Sequence, residues 1–458
     1  MTKELSEVKP RAADELDVAQ EITRLEEVGE RLIKQALAKG ASQVEVGVSK
    51  DLGLSVQVRN QQVETLEYNR DNSFGLTVYF GHQKGTASTS DLTDEGLKLT
   101  VDAACNIARF TQPDPYSGLA DKALMAQNPI DLQLDIPMGI TADIAMDLAK
   151  QCEAAGLAES KVSQSEGASF SSHRNIRFYT NSHGFSAAIP STRHSLSCIL
   201  IAQDNQGMQR DYWYSVARDA KLLESAESIG RKAASRVIAR LDGRSIATQK
   251  APVLMTPEIA RGLISNLCSG IQGSSLYRKS SFLLDSINQP IFPDFFQLDE
   301  NPHLIGGLAS TWFDNDGVAT KVQPIVQDGI LKTYLLSSYS ARRLNLSPTG
   351  HSGGVHNLFL QSMDYSFEQL VKKMNKGLVV TDVMGHGVNL VTGDYSRGAS
   401  GFWVENGEIQ HFVQEITIAG NLKNMFKDLV AIGNDVDQRS SHVTGSWLLA
   451  EMTIAGKH

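Results

Sequence analysis

Eleven histidines, four cysteines and the serines in glycine-rich turns are the residues of this 458-residue chain suited to metal or nucleophilic chemistry. A zinc peptidase sets two histidines on one helix face with a glutamate beside the first. The ion needs neighbouring imidazoles, and its water needs a base. No HExxH occurs in the chain, and the closest pair is His351 and His356 in HSGGVH. Five positions on a regular helix put side chains about 140° apart, and Gly353-Gly354 disfavour a helix altogether. Ser352 stands where the base would be needed. The segment reads as a glycine loop with two polar histidines, and metal ligation by His351 and His356 is the minor alternative.

The same loop satisfies G-x-S-x-G as Gly350-His351-Ser352-Gly353-Gly354. A nucleophile elbow needs a strand before the serine and a helix after it. Here Pro348 precedes the motif and the strand-like HNLFLQ follows, so a serine hydrolase is disfavoured. Gly385-His386-Gly387 after LVVTDVM lacks the third glycine of a dinucleotide loop and reads as a turn closing a buried strand. Cys105, Cys152, Cys198 and Cys268 contain no CxxC pair. They read as reduced, mostly buried thiols of a cytoplasmic protein.

The elements that must position these residues divide the chain into about three domains at ~150 residues each. Lys+Arg is 43 and Asp+Glu is 52, a net charge of −9. That balance argues against nucleic acid and anionic membrane as direct partners. The charged segment MTKELSEVKPRAADELD is no signal peptide, and residues 1–15 are expected to be a disordered tail. Over 16–125, apolar residues at helical spacing from Leu16 to Leu37 end at Gly40, alternating strands follow, and LKLTVDAACNIARF returns to a helix. Over 126–245 the order recurs: Thr141 caps a helix, a strand-rich stretch runs from Ala168 to Val216, and a second helix ends near Asp242-Gly243. This suggests architectural duplication without a sequence repeat. Over 246–458, Thr256-Pro257-Glu258 starts a helix. Asp316-Gly317, Asp328-Gly329 and Asn406-Gly407 mark hairpins. Ser366 with Gln369 forms a capping box. TKVQPIVQ, ILKTYLLSS and SGFWVE read as strands. The fold class is α+β: helix-plus-antiparallel-meander units, then a larger, mostly antiparallel β unit with a few helices.

The wording of residues 275–458 goes further. SLYRKSSFLLDSINQPIFPD, STWFDNDGVAT, DGILKTYLLSSYSARRL, TGHSGGVHN, GLVVTDVMGHGVNLVTGDYSRGASGFWVENGEI and EITIAGNLKNMF strongly resemble the bacterial TldD/PmbA family, candidate modulators of DNA gyrase and metallopeptidases. VEVGVSKDLGLSVQVRNQQVETLEYN and FGLTVYFG extend the resemblance into the N-terminal unit. It implies a cytoplasmic pair of related subunits that together cleave extended peptides, in peptide-antibiotic maturation and antitoxin turnover. In such pairs the TldD-type subunit carries an HExxxH zinc helix and a later cysteine ligand. The matching window here, residues 262–273, has no histidine or glutamate, and no cysteine follows Cys268.

The chain is therefore similar to the TldE/PmbA-type branch, which lacks the zinc motif. That implies no cofactor in this chain, zinc in a TldD-type partner, a heterodimer with that partner (or a homodimer alone), and peptide substrates. Arg278 and the GDYSRG residues Asp394, Tyr395 and Arg397 are candidates to hold a peptide carboxylate or a partner's acidic group; the competing expectation is that Asp394 and Arg397 pair with each other. Two alternatives stand beside this one: a stand-alone homodimeric metallopeptidase with unorthodox ligands, and a non-enzymatic regulator of gyrase or a toxin system.

Overall fold

The computed structural model describes residues 16–205 and 207–456, so the N-terminal tail lies outside the described residues. Two compact units divide the chain.

The first unit begins with α1 (Val18–Ala38), whose Asp17 side chain accepts from the Gln20 amide. The chain then leaves the helix through Gly40 at φ 95°. An antiparallel meander follows: β1 (Gln43–Arg59), β2 (Gln62–Phe80) and β3 (Gln83–Thr89), then α2 (Asp94–Phe110). The pattern repeats as α3 (Ala142–Leu157), β4 (Val162–Asn181), β5 (Ser186–Asp204), β6 (Gly207–Ala217) and α4 (Ala226–Ala239). β1 pairs antiparallel with β4 from Glu45–Asn181 to Val58–Ala168, so both segments share one six-stranded sheet, β3-β2-β1-β4-β5-β6. Alternate residues of β1 (Val44, Val46, Val48) are buried with Leu25 and Leu32 of α1 and Val101 of α2. That period-two burial is what the alternating valines encode. Glu153, fully buried on α3, accepts the Asn60 and Gln61 amides, both left-handed residues of the β1–β2 turn, and so ties the turn to the helix.

The second unit holds β7 (Gln249–Met255), α5 (Pro257–Gly270), α6 (Gly273–Tyr277), β8 (Leu298–Glu300), β9 (Gln323–Gln327) and β10 (Ile330–Leu331). It continues with α7 (Ser338–Leu344), β11 (Leu358–Leu360), α8 (Phe367–Met374), β12 (Gly377–Met384), β13 (Asp394–Glu405) and β14 (Glu408–Asn421). It ends with α9 (Leu422–Lys427), β15 (Leu429–Ile432), β16 (His442–Val443) and β17 (Trp447–Ala455). One sheet runs β14-β13-β12-β7-β17-β15, and a further pairing of β14 with β17 closes five of its strands into a ring. Closure removes edges that would otherwise stay open to other chains. The smaller sheet, β10-β9-β8-β11-β16, carries the residues of interest.

Local signals explain much of this. Asp328-Gly329 joins β9 to β10 and Asn406-Gly407 joins β13 to β14, each with both residues at positive φ, as a type I′ turn requires. Ser366 and Gln369 make the full capping box of α8. Two details differ from expectation. ILKTYLLSS forms a strand only at Ile330–Leu331, because the Leu335 amide donates to the Ile271 carbonyl and the Gly273 amide to the Leu335 carbonyl. These bonds draw the chain off the β9 edge. Thr256 stands at the N-cap of α5 without a side-chain cap bond.

Candidate functional site

β8 ends at Glu300, fully buried at an inward position of the small sheet. The loop before β11 brings both histidines of HSGGVH to it. Gly353 at φ 106° and Gly354 at φ 115° turn the backbone through conformations closed to L side chains. The two imidazoles, separated on any helix, thereby converge. His351 Nε2 lies 2.8 Å from Glu300 Oε2, and His356 Nδ1 lies 2.9 Å from Glu300 Oε1. The rings' centroids are 5.5 Å apart. His356 also donates its backbone N–H to Oε1 at 2.8 Å, and Gln323 Nε2 donates to Oε2 at 3.1 Å. Four donors thus serve one carboxylate. Burial raises its pKa, but hydrogen bonds and charge from the two histidines outweigh burial and hold the carboxyl below the usual carboxylate range. Sequence spacing could not find this triad, since its third member lies fifty-one residues before the first histidine. The only local signal was an acidic residue at an inward strand position.

Beside the triad, Asp314 is buried and accepts the Asp316 and Val318 amides at Oδ1 and the Ser352 amide at Oδ2. Ser352 Oγ donates to Asp316 Oδ1 at 2.7 Å. It faces a carboxylate, with neither an elbow nor a base behind it, so it is a loop tie. Burial, and then Asp316 nearby, push the Asp314 carboxyl up to about 7. A group raised in the folded state stabilises fully below its unfolded value of 3.8, and the contribution is lost as pH rises through about 7. Asp314→Asn is therefore expected to flatten the pH dependence of stability across that interval. Urea unfolding of variant and wild type at several pH values checks this, and parallel curves would contradict it.

α5 is the helix on which the resemblance places a zinc motif. Its residues do not fit zinc. Its one carboxylate, Glu258, accepts from Arg439 at 3.3 Å, Arg261 lies 3.5 Å from Asp437, and Ser265 Oγ bonds His442 Nδ1 at 3.2 Å. Cys268 is buried, and desolvation followed by the nearby Glu300 charge pushes its thiol up to about 12. A guanidinium, a protonated thiol, a hydroxyl and a carboxylate already paired with Arg439 make no ligand set. The four cysteines are free and buried, as the sequence suggests.

The remaining candidates separate. Arg278, exposed at the end of α6, lies over the Tyr277 ring at 5.6 Å. Asp394 and Arg397 do not pair with each other. Asp394 accepts from Thr392 Oγ1 and Asn421 Nδ2, while Arg397 Nε donates to the Met384 carbonyl. Tyr395 is 3% exposed and belongs to the core. Gly385 at φ 82° ends β12 in a turn with no helix behind it.

The N-terminal unit thus joins two helix-and-meander segments in one sheet, and the C-terminal unit closes five strands of its larger sheet into a ring. Three family models match in order: PmbA/TldA metallopeptidase domain 1 over residues 44–108, the central domain over 137–241 and the C-terminal domain over 248–456. The chain belongs to the PmbA/TldA metallopeptidase family. It is 50% identical to metalloprotease PmbA of Escherichia coli, covering 92% of this chain and 94% of that protein. It is 46% identical to a Haemophilus influenzae PmbA homologue, covering 96% and 99%. A candidate modulator of DNA gyrase from Bacteroides thetaiotaomicron superposes with TM-score 0.90 at 27% identity, covering 95% of this chain and 99% of that one. TldE from Thermococcus kodakarensis shares the fold, with TM-score 0.80 at 18% identity over 94% and 100%. Among the described residues no helix is long and apolar enough to cross a membrane.

Proposed function

We propose that this chain is the TldE/PmbA-type subunit of a cytoplasmic two-subunit peptidase, and that a TldD-type partner carries the catalytic zinc. The observation behind this is α5: the chain keeps the family scaffold but fills the metal helix with Arg261, Ser265 and a protonated Cys268. The Glu300 cluster does not restore a catalytic centre. Catalysis at a metal needs an open coordination position for water and substrate, and the side chains of His351 and Glu300 are 0% exposed. A stand-alone peptidase built on His351 and His356 is disfavoured for that reason.

Extended peptides are commonly held by strand addition to a sheet edge. Ring closure leaves little such edge in the large C-terminal sheet. In the N-terminal unit, β3 pairs with β2 only over Phe74–Phe80, and the stretch before it carries the exposed Val63, Leu66 and Tyr68. Arg278, Asp394 and Arg397, on the surface of the C-terminal unit, are the polar groups assigned to peptide or partner contact. Mixing the purified chain with a TldD-type chain should give a heterodimer by light scattering, weakened in an Arg278→Ala/Arg397→Ala variant. Persistence of two separate species at micromolar concentration would refute the pairing.

A further inference from the structure

We propose that Glu300, His351 and His356 bind one divalent transition-metal ion of zinc-like chemistry in a structural site.

Donor placement comes first. One atom from each residue can face a common point, since the three lie within 4.8 Å of one another and all three residues are buried. The two imidazole nitrogens address different oxygens of the carboxylate, at 2.8 and 2.9 Å. Tetrahedral zinc bonds of about 2.0–2.2 Å set neighbouring donor atoms about 3.4–3.5 Å apart. The two imidazoles and the Glu300 carboxylate would reach that spacing by opening each pair by about half an ångström. Two neutral nitrogens and a carboxylate suit a borderline ion such as Zn2+ better than Mg2+ or Ca2+, which prefer all-oxygen shells.

The surrounding hydrogen bonds are those of an outer coordination shell. Each carboxylate oxygen has a non-imidazole donor: the His356 amide on Oε1 and Gln323 Nε2 on Oε2. The far nitrogen of His351, Nδ1, meets Thr349 Oγ1 at 2.8 Å. Ligating histidines usually anchor their second nitrogen in this way. The Thr349 hydroxyl accepts the Leu336 amide and lies 2.9 Å from the Tyr334 carbonyl, the acceptor for its single proton. Nδ1 of His351 then carries a hydrogen, and Nε2, 2.8 Å from the carboxylate, is the nitrogen that an ion would take in place of a proton. An ion there satisfies both donors at once, and binding it expels the imidazole protons that would otherwise fill the gap. Burial leaves no vacant coordination position, so the role is to lock the 349–357 loop to β8.

The test uses the full chain alone, without peptide or partner, so its failure is distinct from failure of the subunit assignment. Chelator-stripped wild-type protein is titrated with Co2+ and then with Zn2+. The expected result is one Co2+ per chain with visible d–d bands, displacement by Zn2+, and a Zn2+-dependent rise in Tm. In Glu300→Gln, affinity should fall at least about tenfold, and in His82→Ala, remote in sequence, it should not change. Absence of d–d bands and of a Tm shift in natively folded wild-type protein would overturn the site, whatever the variants do. So would uptake unaltered in Glu300→Gln, which marks adventitious binding at other histidines.

Discussion

Glu300→Ala is expected to destabilise the C-terminal unit by about 3–5 kcal/mol, the cost of removing one partner from a buried charged cluster. The carboxylate is fully buried and accepts from His351, from His356 twice and from Gln323. Its removal strands four donors that no water can reach, whereas a typical single substitution costs about 1 kcal/mol. Because total stability is about 5–15 kcal/mol, the loss should be plain in urea unfolding. Glu300→Gln, which keeps the shape and one acceptor oxygen, should fall between wild type and alanine. The pH dependence carries a sign. The folded-state pKa is below the ordinary 4.5, so Glu300 stabilises above its unfolded value, and that contribution is lost as pH falls through the folded one. Wild type should therefore lose stability in acid more steeply than the alanine variant. A loss below about 1 kcal/mol for Glu300→Ala would show that the cluster holds nothing together.

Trp447→Ala is expected to cost about 3–5 kcal/mol. Trp447 is fully buried on β17, paired with Met255 of β7 and Ile432 of β15. Phe296 and Phe292 meet its ring edge-on at centroid distances of 5.5 and 6.1 Å, and those two stack on each other at 3.6 Å. Edge-to-face contacts of this kind add about 0.5–1.5 kcal/mol beyond area burial. The indole N–H donates to Thr444 Oγ1 at 2.8 Å, so truncation also takes away this buried hydroxyl's donor and leaves it only its bond to the Gly445 carbonyl. Trp447→Phe should retain most of the packing and lose that bond, for about 1–2 kcal/mol. Equal effects of alanine and phenylalanine would contradict this packing.

Local physics made much of the fold readable. Asp328-Gly329, Asn406-Gly407 and the Ser366/Gln369 box act within a few residues, and each does in the structure what its chemistry demands. Alternating valines in β1 specify a half-buried strand wherever its neighbours come from. The pairing of β1 with β4 and the closure of β14 on β17 depend on residues far apart in sequence, so no local pattern announces them. The site shows the same division. On helical spacing HSGGVH is two unrelated histidines, and only the left-handed Gly353 and Gly354, acting with a strand fifty residues earlier, make them a pair. Tyr395 shows the converse. Its neighbours Asp394 and Arg397 are on the surface, but strand alternation turns the tyrosine into the core. The absence of histidine and glutamate from residues 262–273 needed no structure, because it is a matter of composition.

A peptide-cleavage assay on the purified chain, alone and with a TldD-type subunit added, reaches the central claim most directly. An unstructured peptide should remain intact with this chain alone, with or without added Zn2+, and be cut once the partner is present. Cleavage by this chain alone that survives repurification and is lost in a His351→Ala/His356→Ala double variant would contradict the claim.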